Sequence, residues 1–171
     1  RQQKPTRAGT LSVTKEKIEN AIFAVSIDPQ TGWVKSILDK RNGKEVLSGQ
    51  GNELQLLADY PREYDAWNIG FTGVTYPSTF RKAEVVESGP LRVVLRLSRD
   101  YLKPGVKKDF PTEDFPSSFF SLDLILYSDL DRIDFRTTAD WWEEKTMLKT
   151  AFNLNVSDTV ATFEIPFGFV R

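Results

Sequence analysis

The sequence predicts an all-β fold, an antiparallel β-sandwich. Three observations carry that expectation: apolar residues recur with a period of two in segment after segment, turn-forming residues separate those segments every ~8–12 positions, and no segment shows a convincing helical period. About ten short strands follow. At 171 residues the chain is one domain or part of a larger one, and with 40% hydrophobic residues, 12 Phe and 4 Trp it can bury a core.

Residues 1–10 are basic and polar with Pro5, a tail or linker before a β domain over residues 11–171. Leu11 to Lys17 reads as a weak edge strand. Ile18 to Asp28 is a stronger one, apolar in both registers and so expected to be covered on both faces. Asp28-Pro29-Gln30-Thr31-Gly32 turns the chain, because Pro fixes φ and Gly accepts a positive φ at the exit. Trp33 to Leu38 returns, and Asn42-Gly43 within Asp39–Lys44 signals a hairpin. Val46-Leu47 precedes the break Gly49-Gln50-Gly51, and Glu53 to Ala58 is the next apolar run.

From Asp59 to Ser78 the pattern disappears into a segment rich in aromatics, proline and glycine. A loop of that length is usually functional or clamped to a neighbour. Thr79 to Glu87 is strand, Ser88-Gly89-Pro90 a turn, and Leu91 to Leu97 alternates with Arg92 and Arg96 outward. Lys103 to Pro116 is irregular, with three prolines. The stretch Ser117 to Leu154 reads as a meander of three consecutive antiparallel strands. Phe120, Leu122, Leu124 and Leu126 face the core in the first, Ile133 and Phe135 in the second, and Leu148, Phe152 and Leu154 in the third. Ser128 to Asp131 is the hairpin turn between the first two, since Asp and Ser bond nearby backbone amides. Val160 to Phe169 is the last strand, with Pro166 marking an edge or a bulge.

Composition narrows the chemistry. Charge is balanced, 23 basic residues against 24 acidic, so neither nucleic acid nor an anionic membrane surface is indicated as a partner. No apolar run is long enough to span a bilayer. The chain contains no cysteine and no histidine. That removes a disulfide framework, a Ser-His-Asp triad, a histidine proton shuttle and the commonest zinc ligand. Any metal held by this chain alone would need oxygen ligands. The start at Arg1 and the strand-like end at Arg171 suggest a piece of a longer protein.

Several side-chain groups could carry function, and each has a plainer reading. Asp129, Asp131 and Asp134 could form an oxygen cage for calcium, but they lack the glycine and distal glutamate of the calcium loop and sit in a turn. Glu143 and Glu144 could supply paired carboxylates, but neighbours in an extended segment face opposite ways and cannot converge on one atom. By the same geometry at most one of Trp141 and Trp142 can stack on a ligand, the other belonging to the core, and a role without ligand contact is the plainer reading for both. Asp65 and Trp67 are the best candidates, a carboxylate and an indole two residues apart in the long loop. Contact with a neighbouring domain is the plainer role for them. Asn155-Val156-Ser157 matches a glycosylation acceptor, which has meaning only in a secreted protein.

Three blocks of the sequence, in order, carry a family resemblance. IENAIFAVSIDPQTGWVKSILDKRNGKEVL resembles the entry to the C-terminal β domain of the α-mannosidases of glycoside hydrolase family 38. GNELQLLADYPREYDAWNIG resembles that family's next block, with Asp65-Ala66-Trp67 after a proline. TADWWEEKTMLKTAFNLNV followed by ATFEIPFGFVR resembles a third. The first block is shared with β domains of β-galactosidases and mutarotase-like proteins. The order of all three, over most of Ile18 to Arg171, is the specific feature. The third block departs from the family's pattern, in which histidines often follow its tryptophan; here Trp142 and Lys145 occupy that neighbourhood.

The resemblance implies a mutarotase-like supersandwich, incomplete in this chain, from a retaining exo-α-mannosidase. Zinc and an aspartate nucleophile would lie in a missing N-terminal catalytic domain. No catalytic residue, cofactor or metal is therefore expected in these 171 residues. The implied partners are the catalytic domain of the same polypeptide and an α-mannoside. The likeness is greater to the bacterial and cytosolic branch than to the lysosomal and Golgi branch, which favours a cytoplasmic over a secreted location without assigning the compartment. Asp65 and Trp67, with Trp141 and Trp142, are where contact with carbohydrate or with the catalytic domain is expected. Two other functions fit a sandwich of this kind. A free-standing carbohydrate-binding module would show sugar affinity unaided. A mutarotase-type epimerase needs a general acid, usually histidine, which the sequence lacks.

Overall fold

The computed structural model describes residues 11–101, 118–158 and 160–171. The expected tail (residues 1–10) and the irregular stretch 103–116 lie outside these residues. The described chain is all strand and connection, with no helix. The strands are β1 (Ser12–Val13), β2 (Lys17–Glu19), β3 (Phe23–Ile27), β4 (Val34–Asp39), β5 (Lys44–Glu45), β6 (Glu53–Asp59), β7 (Phe71–Tyr76), β8 (Thr79–Ser88), β9 (Arg92–Tyr101), β10 (Ser118–Tyr127), β11 (Ile133–Asp140), β12 (Thr146–Ala151), β13 (Phe163–Ile165) and β14 (Gly168–Val170). They form sheets ordered β1-β2-β3-β4-β5, β11-β10-β9-β8, β12-β6-β7 and β13-β14, with antiparallel pairing throughout.

The fold is a β-sandwich. The first two sheets meet where β1 and β2 lie against β8, β9 and β10. The core between them is the period-two pattern made physical: Ile18, Val25, Ile27, Val34 and Ile37 from one sheet face Val93, Leu95, Leu97, Phe120, Leu122, Leu124 and Leu126 from the other. Leu54 and Leu56 of β6 extend this core to the third sheet. The alternation expected for β10 holds, since all four of its inward residues are fully buried. Burying each such side chain contributes roughly 1.5–3 kcal/mol. On the opposite face of the same strand, Asp123 sits between Arg96 of β9 and Arg136 of β11, its cross-strand neighbours in both registers.

The structure corrects the sequence reading at several places and bears it out at one hairpin. The expected strand Ile18–Asp28 is two strands, β2 and β3, folded into a hairpin. Asn20 breaks it: its side-chain oxygen accepts the backbone amides of Ile22 (2.9 Å) and Phe23 (2.6 Å), and its amide donates to the Tyr127 carbonyl (2.9 Å). A short polar side chain that bonds the local backbone competes with the ladder, even inside an apolar run. The Asn42-Gly43 hairpin forms, but around a four-residue loop, with Leu38 opposite Glu45 and Asp39 opposite Lys44. Gly43 alone carries the positive φ there, so this is not the two-residue turn that needs it at both central positions.

The long irregular segment contains β7, paired with β6. Its residues are mostly exposed, so no burial alternation marks it in the sequence. The expected three-strand meander ends after two strands, because β12 leaves β11 and pairs with β6 instead. Finally, the last strand is a small hairpin, β13–β14, turning at Pro166-Phe167, where Phe167 takes a positive φ.

Candidate functional site

The long connection between β6 and β7 and the link between β11 and β12 meet at one end of the three-stranded sheet. The connection is closed at its neck by two bonds. Tyr60 donates its backbone amide to the Gly70 carbonyl (2.9 Å), and Gly70 donates its own to the Asp59 carboxylate (2.6 Å). A Cβ at position 70 would overlap the Tyr60–Pro61 backbone, so only glycine permits this close approach. Inside the loop, the amides of Trp67 and Asn68 both donate to the Tyr64 carbonyl at 2.8 Å, and the Asn68 side chain donates to the Glu63 carbonyl at 2.9 Å. These bonds give the segment an internally tied conformation despite its lack of sequence pattern.

The loop carries an exposed aromatic surface. Trp67 is 86% exposed, and Tyr60, Tyr64 and Ile69 are exposed beside it in sequence. An indole left in water on a tied loop is already ordered and can bury apolar area against a partner at little further entropy cost.

The link from β11 to β12 approaches the same end. Lys145 donates to the Asp65 carboxylate at 3.2 Å, and the Lys145 carbonyl accepts the Asp59 amide at 2.9 Å. Both partners of the ion pair are well exposed, so its strength is small and screened by salt. A cleft of about 360 Å3 lies between the two segments, lined by Asp59, Pro61, Asp65, Glu144, Lys145 and Thr146. Among the described residues four non-glycine positions have positive φ, and two of them, Tyr64 (φ 55) and Lys145 (φ 51), sit here, one on each segment. Such backbone persists only where surrounding bonds hold it, and it concentrates at binding sites.

The four residues expected from sequence divide between environments. Asp65 and Trp67 lie on the loop as above. Trp142 is 54% exposed, and its amide donates to the Ser118 hydroxyl (3.0 Å), which in turn donates to the Glu143 carboxylate (2.9 Å). Trp141 packs against Phe120 at the margin of the core, ring centroids 6.1 Å apart. The two adjacent tryptophans therefore occupy different environments. The Asp65–Lys145 pair brings the loop and the link together across 80 residues of sequence. Sequence reading missed the structural parts of Tyr64 and Lys145, because neither residue type signals a positive φ.

The aspartates at and after the 128–131 turn are surface chemistry. Asp131 pairs with Arg41, and Asp134 with Arg132 at 3.0 Å. Among the described residues no group of three or more His, Cys, Asp or Glu could hold a metal ion. The most deeply buried carboxylate among the described residues, Asp123, belongs to the fold. It accepts Nε and an amino group of Arg96 (2.7 and 2.9 Å) and an amino group of Arg136 (2.6 Å). The Arg96 bonds above all hold it below the usual carboxylate range.

Comparison with known proteins places this geometry in context. A family model described as the glycosyl hydrolases family 38 C-terminal domain matches residues 18–171. Alpha-mannosidase 2C1 of Homo sapiens is 28% identical over 158 residues, 90% of this chain and 14% of that protein. Alpha-mannosidase G of Dictyostelium discoideum is 26% identical over 161 residues, again 90% of this chain and 14% of the relative. The crystal structure of an alpha-mannosidase from Enterococcus faecalis V583 shares the fold, with a TM-score of 0.66 at 16% identity, covering 90% of this chain and 19% of that one. The chain thus spans about one seventh of the length of these curated relatives.

Proposed function

This chain belongs to the family of glycosyl hydrolases family 38 C-terminal domains, and from that premise we propose that it is the non-catalytic β-sandwich portion of a retaining exo-α-mannosidase. In this reading it supports a catalytic domain carried elsewhere on the same polypeptide. The tied loop 60–70 and the link 141–145 form the surface that meets that domain or the mannoside bound to it. The single observation that carries the reading is the match of residues 18–171 to this family, beside the likeness to relatives that are α-mannosidases.

The site chemistry supports the division of labour. Retaining glycoside hydrolysis needs two carboxyl groups about 5–5.5 Å apart across the scissile bond. At the candidate site Asp65 is committed to Lys145, and Asp59 to the Gly70 amide. The zinc that the family resemblance implies does not fit this chain: the sequence has no histidine, and the described residues hold no cluster of potential ligands. Its ligands would come from the catalytic domain. What residues 60–70 offer instead is contact: an exposed indole, tyrosines and a positioned carboxylate, the composition that stacks on a sugar ring or seats against a protein surface.

The test is titration of this chain with mannose and short α-mannosides, followed by indole fluorescence. The proposal expects no saturable binding up to millimolar sugar, a Kd of about 1 mM corresponding to only about −4.1 kcal/mol. Saturable binding would favour a free-standing carbohydrate-binding module, the reading to which the exposure of Trp67 lends support.

A further inference from the structure

Away from the loop site, a second pocket of about 670 Å3 opens beside Arg99. Its wall includes Trp33, Ser78 and Arg99, and β6, β7 and β12 contribute Glu53, Gln55, Thr75 and Lys149. Lys149 and Gln55 are cross-strand neighbours, as are Thr75 and Leu57, so these side chains are brought together by sheet register.

Arg99 is the unusual member. It is 3% exposed, and its guanidinium lies 3.4 Å from the centre of the Trp33 ring. It donates to the Ser78 hydroxyl (2.9 Å), to the Ser78 carbonyl (3.3 Å) and to the Thr31 carbonyl. All three acceptors are neutral. Among the described residues no carboxylate lies within ion-pair distance of it. A guanidinium has five N–H donors, so two are left without a partner among the described residues. Burial draws its pKa down to about 10 against the opposing pull of the Asp100 and Glu53 charges nearby, which leaves it charged at neutral pH. A buried cation in direct contact with no carboxylate among the described residues is costly, and an anion that completes its hydrogen bonding recovers part of that cost. Lys149 adds a second cation to the lining, free of ion pairs among the described residues.

We propose that this pocket binds a small hydroxylated oxyanion, a phosphate ester or a carboxylate. Arg99 and Lys149 hold its anionic group, and Glu53, Gln55 and Thr75 meet its hydroxyls. Arginine suits this role because its planar fork matches two oxygens of one oxyanion. Glu53 supplies the acceptor that ligand hydroxyls need, and by the same charge it rejects ligands that present the anion at the wrong end. The site is separate from the loop surface and stands whether or not that surface touches mannoside.

The experiment follows the Arg99 Nε–H resonance by heteronuclear NMR while inorganic phosphate, D-glucuronate and mannose are added in turn. The expected result is a saturable shift with phosphate, glucuronate or both, at a Kd of about 1 mM or tighter, and at least tenfold weaker binding of mannose. Response to phosphate alone assigns the phosphate-ester source, and response to glucuronate alone the carboxylate source. Lys149→Glu, at a position outside the core cluster, is expected to weaken oxyanion binding tenfold or more without altering the melting temperature. Arg99→Lys tests the fork directly, but it also removes bonds that hold the 28–33 turn, so the Lys149 variant carries the decision if that protein fails to fold. No saturable shift with either anion, equal binding of mannose, or binding indifferent to Lys149→Glu would overturn the proposal.

Discussion

Replacing Asp123 with asparagine tests how the central sheet is held. Asp123 is 2% exposed and accepts three hydrogen bonds from two arginines, on the strands at either side of β10. Asparagine keeps the volume but removes the charge and turns one acceptor oxygen into a donor, which then faces a guanidinium that also donates. Breaking a buried charged pair by neutralising one partner costs about 3–5 kcal/mol. Here the stranded partners are partly hydrated, the Arg96 and Arg136 side chains being 36% and 62% exposed, so water takes up part of the loss. We therefore expect about 2–4 kcal/mol, the scale of one or two charged hydrogen bonds. For a chain of this size that is a fall in Tm of roughly 4–16 °C.

The assay is urea unfolding of both proteins, read by indole fluorescence and by far-ultraviolet circular dichroism. Acidification supplies an independent check. Arg96, then Arg136, lowers the folded-state pKa of Asp123 below its unfolded value of about 3.9. Its stabilisation is therefore fully present above that unfolded value and is lost as pH falls through the folded one. The gap between wild type and Asp123→Asn should narrow below about pH 4. A loss under about 0.5 kcal/mol at pH 7 would refute the reasoning, placing the carboxylate within the range of an ordinary surface pair.

Three further outcomes follow from the same geometry. Asn20→Ala should cost about 2–4 kcal/mol in urea unfolding, because three good bonds from a buried side chain to partly buried backbone disappear and one of them ties the first sheet to the end of β10. Gly32→Ala should destabilise by more than about 1 kcal/mol, since residue 32 has φ 70 and a Cβ there would overlap the Phe80 ring; an unchanged Tm would contradict it. Trp67→Ala in the full-length polypeptide should lower turnover of an aryl α-mannoside while leaving the unfolding midpoint of this chain within about 0.5 kcal/mol. Unchanged turnover would remove the loop from the proposed contact surface.

The parts of the fold legible in the sequence were those where burial imposes a period. Phe120, Leu122, Leu124 and Leu126 could be assigned to one face because that face is fully buried, and Val93, Leu95 and Leu97 likewise. Leu91, which the same alternation put on the inward face, is exposed, since it precedes β9. β7 escaped detection because its side chains face water and no period forms. The transfer of β12 to β6 escaped because strand partnership is a long-range choice, and local alternation is the same whichever neighbour a strand takes.

At the candidate site, the composition of the 59–78 segment singled out the loop, but its organisation did not show. The neck bonds to Gly70, the positive φ of Tyr64 and the pairing of Asp65 with Lys145 all depend on which segments meet in space. Arg99 was hidden for a related reason. The alternation of 91–97 was read with arginines pointing outward, and Arg99 falls on the inward register of the same strand, beside Trp33.

The most direct test of the central claim is hydrolysis of an aryl α-mannoside by three proteins: this chain alone, the full-length polypeptide that carries it, and that polypeptide with residues 18–171 removed. The account predicts turnover by the full-length protein only, with the shortened one impaired through loss of the sandwich that supports its catalytic domain. Turnover by the isolated 171-residue chain would contradict it, and so would full activity without residues 18–171.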